Sequence, residues 1–275
     1  MKVGDGMSQV VSKEFPILFQ GDMVRAILAG RKTQTRRIIN QLTGFGKVTE
    51  FGRSDTRGYD WCFRDRRMRW NDINTDRLMG ASPKGGVGDT LYVRESWSNP
   101  IDTSPGTYLY RADYPSCVPD EYENIPDESE IEWKPSIHMP SEARRLFLGV
   151  VKVRVERVQS ISDNDAVAEG IECVRCSQEP EYGVPGLAPA FKHYQNDQFN
   201  RGRGVGARHS FQTLWDSINA KPKPIKRDQK IIGYESFPWG GEARVVEHRG
   251  LPHKIISNPF VWVYDFDMKG AINAE

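Results

Sequence analysis

The segment 260–266, with Phe260, Val261, Trp262, Val263, Tyr264, Asp265 and Phe266 in a row, constrains the fold more than any other stretch. A strand sends alternate side chains to opposite faces. That puts Trp262, Tyr264 and Phe266 on one side, and Val261 and Val263 on the other. A strand apolar on both sides needs cover on both sides, so it belongs at the centre of a sheet, in a barrel or beneath a helix. The rest of the chain must supply its neighbours and both covering layers.

Several other elements are legible. Val151, Val153 and Val155 alternate with Lys152, Arg154 and Glu156, the pattern of a half-buried strand. A turn at Gly88 and Asp89 leads into a short strand from Leu91 to Glu95. Met23, Val24, Ile27 and Leu28 form one helical stripe that Gly30 stops. Ser162 and Asp165 resemble a capping box opening a helix that runs through Glu169 to Gly170. Phe211, Leu214, Trp215 and Ile218 mark a further amphipathic helix. The stretches near 40–87, 99–133, 173–209 and 219–257 lack strong periodicity. Long structureless loops are uncommon inside a domain, so these are expected to be insertions, some of them hairpins. With no internal repeat and no clean linker, the expectation is a flexible leader over 1–13 and one domain over 14–275. Its class is mainly β with flanking helices (α+β).

Composition narrows the function. A chain of 275 residues can bury a sizeable core. A net charge of +1 argues against coating nucleic acid by bulk electrostatics. No apolar run approaches the ~18 residues of a membrane span, and no secretory segment opens the chain, so no membrane partner is expected. Four cysteines are sparse for this length and fit a cytoplasmic location, in a bacterial or phage-infected cell. Cys173 and Cys176 have zinc-pair spacing, but Cys62, Cys117 and the five histidines show no complementary spacing, so no metal is assigned. The run Arg64, Asp65, Arg66, Arg67, Met68, Arg69, Trp70 follows Tyr59, Trp61 and Phe63. It interleaves cations and aromatics as single-strand binders do, but a twisted hairpin with a solvated charged face is the default reading. P-loop, GxGxxG, HExxH and GxSxG motifs are missing.

One motif carries chemistry. Gly30, Lys32, Thr35 and Arg37 spell GxKxxTxR just beyond a helix end, a rigid support for aimed side chains. This pattern resembles the hallmark of the ASCH family, a branch of the PUA-like β-barrel fold. The runs 15–19, 88–97, 134–140 and 258–263 are similar to the larger phage and bacterial ASCH proteins. The resemblance implies a PUA-like barrel with long insertions. It also implies an amidohydrolase that removes acyl groups from the exocyclic 4-amino group of cytidine or cytosine, without metal or cofactor. A threonine, a lysine and a glutamate form the catalytic set in such relatives. Here they correspond to Lys32, Thr35 and Glu169, with Glu172 and Asp165 as alternatives for the carboxylate. The partner would be a modified pyrimidine nucleoside or base. A non-catalytic RNA-binding or nucleoside-binding module and a ribonuclease are the competing expectations.

Elementary chemistry makes demands on that trio. A threonine hydroxyl must lose its proton to attack an amide carbonyl. A neutral lysine can take it, but an ordinary lysine, near pKa 10.4, is charged at neutral pH. Burial or neighbouring cations would have to lower it, while an adjacent carboxylate acts the other way. Either Lys32 is the base and Glu169 orients it or relays the proton, or Glu169 is the base and Lys32 stabilises the oxyanion. On a strand, positions 32 and 35 point to opposite faces, so the pair converges only if the chain turns between them; otherwise Thr33 is the better partner for Arg37. Glu169 in a last helical turn also opposes the helix dipole, which a facing cation would explain. Arg37 is expected to bind a phosphate or pyrimidine carbonyl. Glu95 and Trp97, on the strand after Gly88, would read a base edge and stack on its face, and His138 is a further substrate-binding candidate.

Overall fold

The apolar segment lies within a 12-residue strand that has partners on both sides. The structure, a computed structural model, describes residues 12–99, 108–118, 125–175, 189–196 and 204–271. In chain order, β1 (Glu14–Leu18), α1 (Gly21–Leu28) and β2 (Gln34–Ile38) come first. They lead into β3 (Gln41–Leu42), β4 (Gly46–Arg53), β5 (Trp61–Asp65), β6 (Trp70–Ile73) and the short α2 (Thr75–Gly80). Next are β7 (Thr90–Arg94), the small pair β8 (Trp97–Ser98) and β9 (Leu109–Tyr110), then β10 (Leu146–Arg157) and α3 (Asp163–Ala168). β11 (Cys173–Arg175), β12 (Ala190–Phe191) and α4 (Ala207–Asn219) follow. Last come β13 (Lys223–Arg227), β14 (Lys230–Ser236), β15 (Arg244–His248), β16 (Leu251–Ile255) and β17 (Phe260–Ala271).

The main sheet has the order β1-β7-β10-β17-β2, with β1 parallel to β7 and the other pairs antiparallel. β17 therefore sits between β10 and β2, and Val261, Trp262, Val263, Tyr264 and Phe266 are all buried, as its two-sided pattern requires. Each such side chain contributes roughly 1.5–3 kcal/mol through burial. The alternation expected in β10 breaks at one place. The register slips between Val150 and Lys152 opposite β17, and Val151, the extra residue, is 48% exposed. A bulge turns one residue out of phase with the strand; beyond it Val153 and Val155 pack on the core.

The expected barrel is not what forms. Among the described residues the strands make several separate sheets, the main one is open, and β1 and β2 are its edges. The molecule is mainly β with helices against the sheet, and no described helix is long and apolar enough to cross a membrane. Two of the aperiodic stretches fold into four-stranded sheets of their own, β3-β4-β5-β6 and β13-β14-β16-β15. The insertions near 99–133 and 173–209 lie partly outside the described residues, as does most of the expected leader. Its last two residues belong to the fold: the Lys13 N–H donates to Asp89 (2.9 Å), and the Thr90 N–H donates to the Lys13 carbonyl (2.8 Å).

The helices start and stop for local reasons. Ser162 accepts from the Asp165 N–H at 3.1 Å, and the Asp165 carboxylate accepts from Ser162 in return, closing a capping box. In α4, Phe211, Leu214 and Trp215 are buried, but Ile218, expected on the same stripe, is exposed near the helix end. Gly170 ends the α3 segment at φ +83°, where a Cβ would lie 2.7 Å from the Lys32 Cβ and 2.8 Å from the Ala26 Cβ. Gly170→Ala therefore combines a disfavoured backbone with a steric overlap. It should lower stability by about 2 kcal/mol or more in urea unfolding; a loss within a few tenths of that of an ordinary surface change would refute the packing described.

Candidate functional site

β17 satisfies one side of β2, and the other side is an open sheet edge at which the end of α3 sits. The Thr33 N–H donates to the Ala168 carbonyl at 2.9 Å. Just before the strand, the backbone N–H of Lys32 donates to the Ala26 carbonyl of α1 (3.0 Å). The Lys32 Nζ then meets three oxygens: the Gln34 carbonyl at 2.8 Å, the Glu169 carbonyl at 2.7 Å and Glu169 Oε2 at 2.8 Å. An ammonium has three N–H donors, and all three are engaged here. The two partners lie 137 residues apart in sequence and are almost fully buried, Lys32 at 3% exposure and Glu169 at 4%.

The position of Glu169 is now explained. It is the C-cap of α3, where carbonyls lack helical partners and the helix dipole disfavours a carboxylate. One lysine answers both problems, since Nζ bonds the carbonyl and the carboxylate together. The other two carboxylates weighed for this role go elsewhere. Glu172 pairs with Lys192 at 2.8 Å, and Asp165 accepts from Gln34 (2.8 Å) and Arg154 (3.2 Å).

Spacing along β2 sorts the motif. Lys32 precedes the strand, so strict alternation does not separate it from Thr35, and Thr33 is exposed outside the strand. Within β2, Gln34 and Arg36 share one face and Thr35 and Arg37 the other. Thr35 is 2% exposed, lies opposite Tyr264, and its hydroxyl makes no hydrogen bond to the described residues. The Arg37 guanidinium stacks at 5.1 Å from the Phe19 ring centroid and donates to the Leu18 carbonyl (2.8 Å). The Lys32 Nζ lies 5.2 Å from that same ring, so the two cations converge on Phe19.

Arg36 is a member of the cluster that the motif alone did not single out. It donates to Glu169 Oε1 (3.2 Å) and Glu156 (2.5 Å), and also to Gln34. Behind it Arg154 bonds Asp265 at 2.7 Å, and Gln34 bonds Asp165 and Asp265. The signal was available, because Gln34 and Arg36 recur at strand spacing on the face opposite Thr35. Burial pushes the Lys32 amine below the ordinary lysine value, opposed by attraction and hydrogen bonding to Glu169, while Arg37 and Arg36 push it down with burial. Burial likewise raises the Tyr264 phenol to about 12, and its oxygen lies 2.8 Å from the Ser82 hydroxyl.

The other sequence candidates stand apart. Glu95 falls just past β7, not on it; it is buried and gripped by Arg145 at 2.9 and 3.0 Å, with Asp113 on the same guanidinium. Burial raises its carboxyl and Arg145 opposes the rise. Trp97 belongs to β8, in a different small sheet; Lys134 sits 5.0 Å over its ring, and its indole N–H has no partner among the described residues. His138 is exposed. None of the three contacts Lys32, Thr35, Arg37 or Glu169 through a hydrogen bond, ion pair or ring contact among the described residues. Cys176 lies outside the described residues, and within them no group of three or more His, Cys, Asp or Glu side chains is placed to hold a metal.

Chemically, the cluster offers a hydroxyl with no hydrogen-bond partner among the described residues and, near it in sequence, a buried amine–carboxylate pair whose nitrogen and oxygen lie 2.8 Å apart, within reach of proton transfer. Comparison of the chain with family models, with curated proteins and with solved structures yields no match.

The Lys32 side-chain amine should titrate below 10.5 when followed by NMR at Cε and Nζ, and lower still in Glu169→Gln, which removes the largest influence holding it up. Between the lowered folded value and the unfolded one, the unfolded chain binds more protons, so stability should rise with pH across that window. An unshifted titration, or a rise in Glu169→Gln, would contradict the burial and pairing described.

Proposed function

We propose that the chain is an amidohydrolase that removes the acyl group from 4-acylated cytidine or cytosine, as its resemblance to ASCH proteins suggests. A PUA-like ancestry for the main sheet is part of the same proposal. The observation that carries it is the buried contact between Lys32 and Glu169, two residues named from distant segments that meet at 2.8 Å beside the strand bearing Thr35.

In this mechanism Lys32 first becomes neutral by passing a proton to Glu169 Oε2, a transfer that burial of the ammonium favours. The Thr35 hydroxyl attacks the acyl carbon while the amine takes its proton. The carbon–nitrogen bond then breaks, and the 4-amino group leaves with that proton. Water then adds to the Thr35 ester, giving a proton through Lys32 to the departing Thr35 oxygen and releasing the acyl group as its carboxylic acid, and Glu169 returns its proton to Lys32. Arg37, on the same face of β2 as Thr35, binds the pyrimidine carbonyl or a phosphate. Arg36 keeps Glu169 oriented through its second oxygen. Glu95, Trp97 and His138 take no step in this scheme.

Turnover of 4-acetylcytidine to cytidine, followed by its ultraviolet shift with and without chelator, tests the proposal. Lys32→Ala and Thr35→Ala should each lose activity by at least about 100-fold, the usual scale for a general base or nucleophile. A wild-type protein that leaves 4-acetylcytidine and 4-acylcytosines intact would refute it. One observation favours the second reading, a nucleoside-binding or RNA-binding module without chemistry. A lysine whose three donors are all engaged also suits a purely structural pin between α3 and β2. That reading expects no turnover and ligand binding that survives Thr35→Ala.

A further inference from the structure

A separate cleft of 380 Å³ opens where the C-terminal end of β2, the start of β17, β4 and the β15–β16 hairpin come together. That volume is in the range of small-molecule sites. Its wall is apolar, with Phe51, Ile255 and Phe260 among the lining residues. Its charges are unevenly paired. The carboxylate of Glu50 is occupied by Arg64 (3.3 Å) and Lys254 (3.5 Å), and that of Glu235 faces Lys47 at 3.8 Å. Arg157 and Arg244 also line the cleft, and neither has an acidic partner among the described residues.

Arg157 is fixed in place without a counter-charge. Its guanidinium lies 3.8 Å from the Phe260 ring centroid, and one nitrogen donates to the Asn258 carbonyl at 2.8 Å. Phe260 is itself held edge-to-face by Phe51 (5.7 Å) and Trp61 (5.4 Å). A pinned guanidinium plane backed by an aromatic is a stacking platform for a base, and a free arginine beside it suits a phosphate. The surface continues outward. Glu50 links Lys254 in the cleft to Arg64, whose guanidinium lies 5.7 Å from the exposed Trp70 ring on the β5–β6 hairpin. The interleaved cations and aromatics of that hairpin thus adjoin a cleft with two unpaired arginines.

We propose that this cleft and hairpin bind a single-stranded nucleic acid, with one base on the Arg157 platform, its phosphate at Arg244 and the following nucleotides along the hairpin. The proposal is independent of the Lys32–Glu169 chemistry. It is also compatible with a net charge of +1, since the positive field is local. Fluorescence anisotropy of a labelled RNA of about twelve nucleotides, and of the same sequence as DNA, at about 50 and about 200 mM salt, tests it.

Binding should weaken with salt, and the double variant Arg157→Gln/Arg244→Gln should lose at least about tenfold in affinity and flatten the salt slope by about one to two phosphate contacts. Val245, 66% exposed at the cleft, provides a second probe that cannot disturb the core. Val245→Glu should weaken binding similarly while leaving the thermal midpoint unchanged. Absence of binding at low salt, or binding unaltered in both variants, would overturn the proposal. So would displacement of the strand by cytidine monophosphate at equal concentration, which would assign the cleft to free nucleotides.

Discussion

Lys32 joins three lengths of chain that otherwise have little reason to meet: its backbone N–H bonds the end of α1, and its ammonium bonds the open edge of β2 and the C-cap of α3. Taking a charge out of water costs several kcal/mol even after relaxation. Only a full set of acceptors offsets that, and Lys32 has one: two backbone carbonyls and a carboxylate. Removing Glu169 would leave the Lys32 ammonium buried with carbonyl acceptors but no counter-charge, whereas removing Lys32 would leave the Glu169 carboxylate with Arg36 alone among the described residues.

The two faces of β2 divide the labour. On one, Gln34 and Arg36 enter a web with Glu156, Asp165, Glu169, Asp265 and Arg154, in which each guanidinium meets more than one carboxylate. On the other, Thr35 lies against the buried aromatics of β17, and Arg37 rests on Phe19. Glu169 touches both systems, one oxygen on Arg36 and one on Lys32. A change in charge on the ionic face is thereby felt at the amine across two hydrogen bonds, without movement of the strand.

Periodicity made the centre of the molecule readable. The two-sided apolar strand, the capping box at Ser162 and the glycine stops at 30 and 170 each follow from local chemistry, and each is found where local chemistry places it. The carboxylate at the helix end called for a facing cation, but only the family resemblance paired Glu169 with Lys32, because nothing local connects residues 137 apart. Long-range geometry accounts for the rest. The bulge at Val151 depends on how β10 meets β17, and the placement of Glu95 and Trp97 depends on where β7 ends. The open sheet is of the same kind, since the closure of a sheet is a property of all its strands together. The insertions gave no periodic signal because their strands are short and partly solvated, and their pairing partners come from within each insertion.

The register of β2 against β17 has a bearing on how the protein is made. Gln34 pairs with Asp265 and Ile38 with Val261, so a strand near the start of the chain waits for one synthesised more than two hundred residues later. Such high contact order slows folding, because the entropy of loop closure is spent before native contacts reward it. Until β17 is synthesised, β10 lacks one neighbour and β2 lacks its one partner among the described residues, and such unpaired backbones are prone to wrong pairing. A nascent chain halted before residue 260 should therefore display an incomplete sheet, which the addition of residues 260–271 completes.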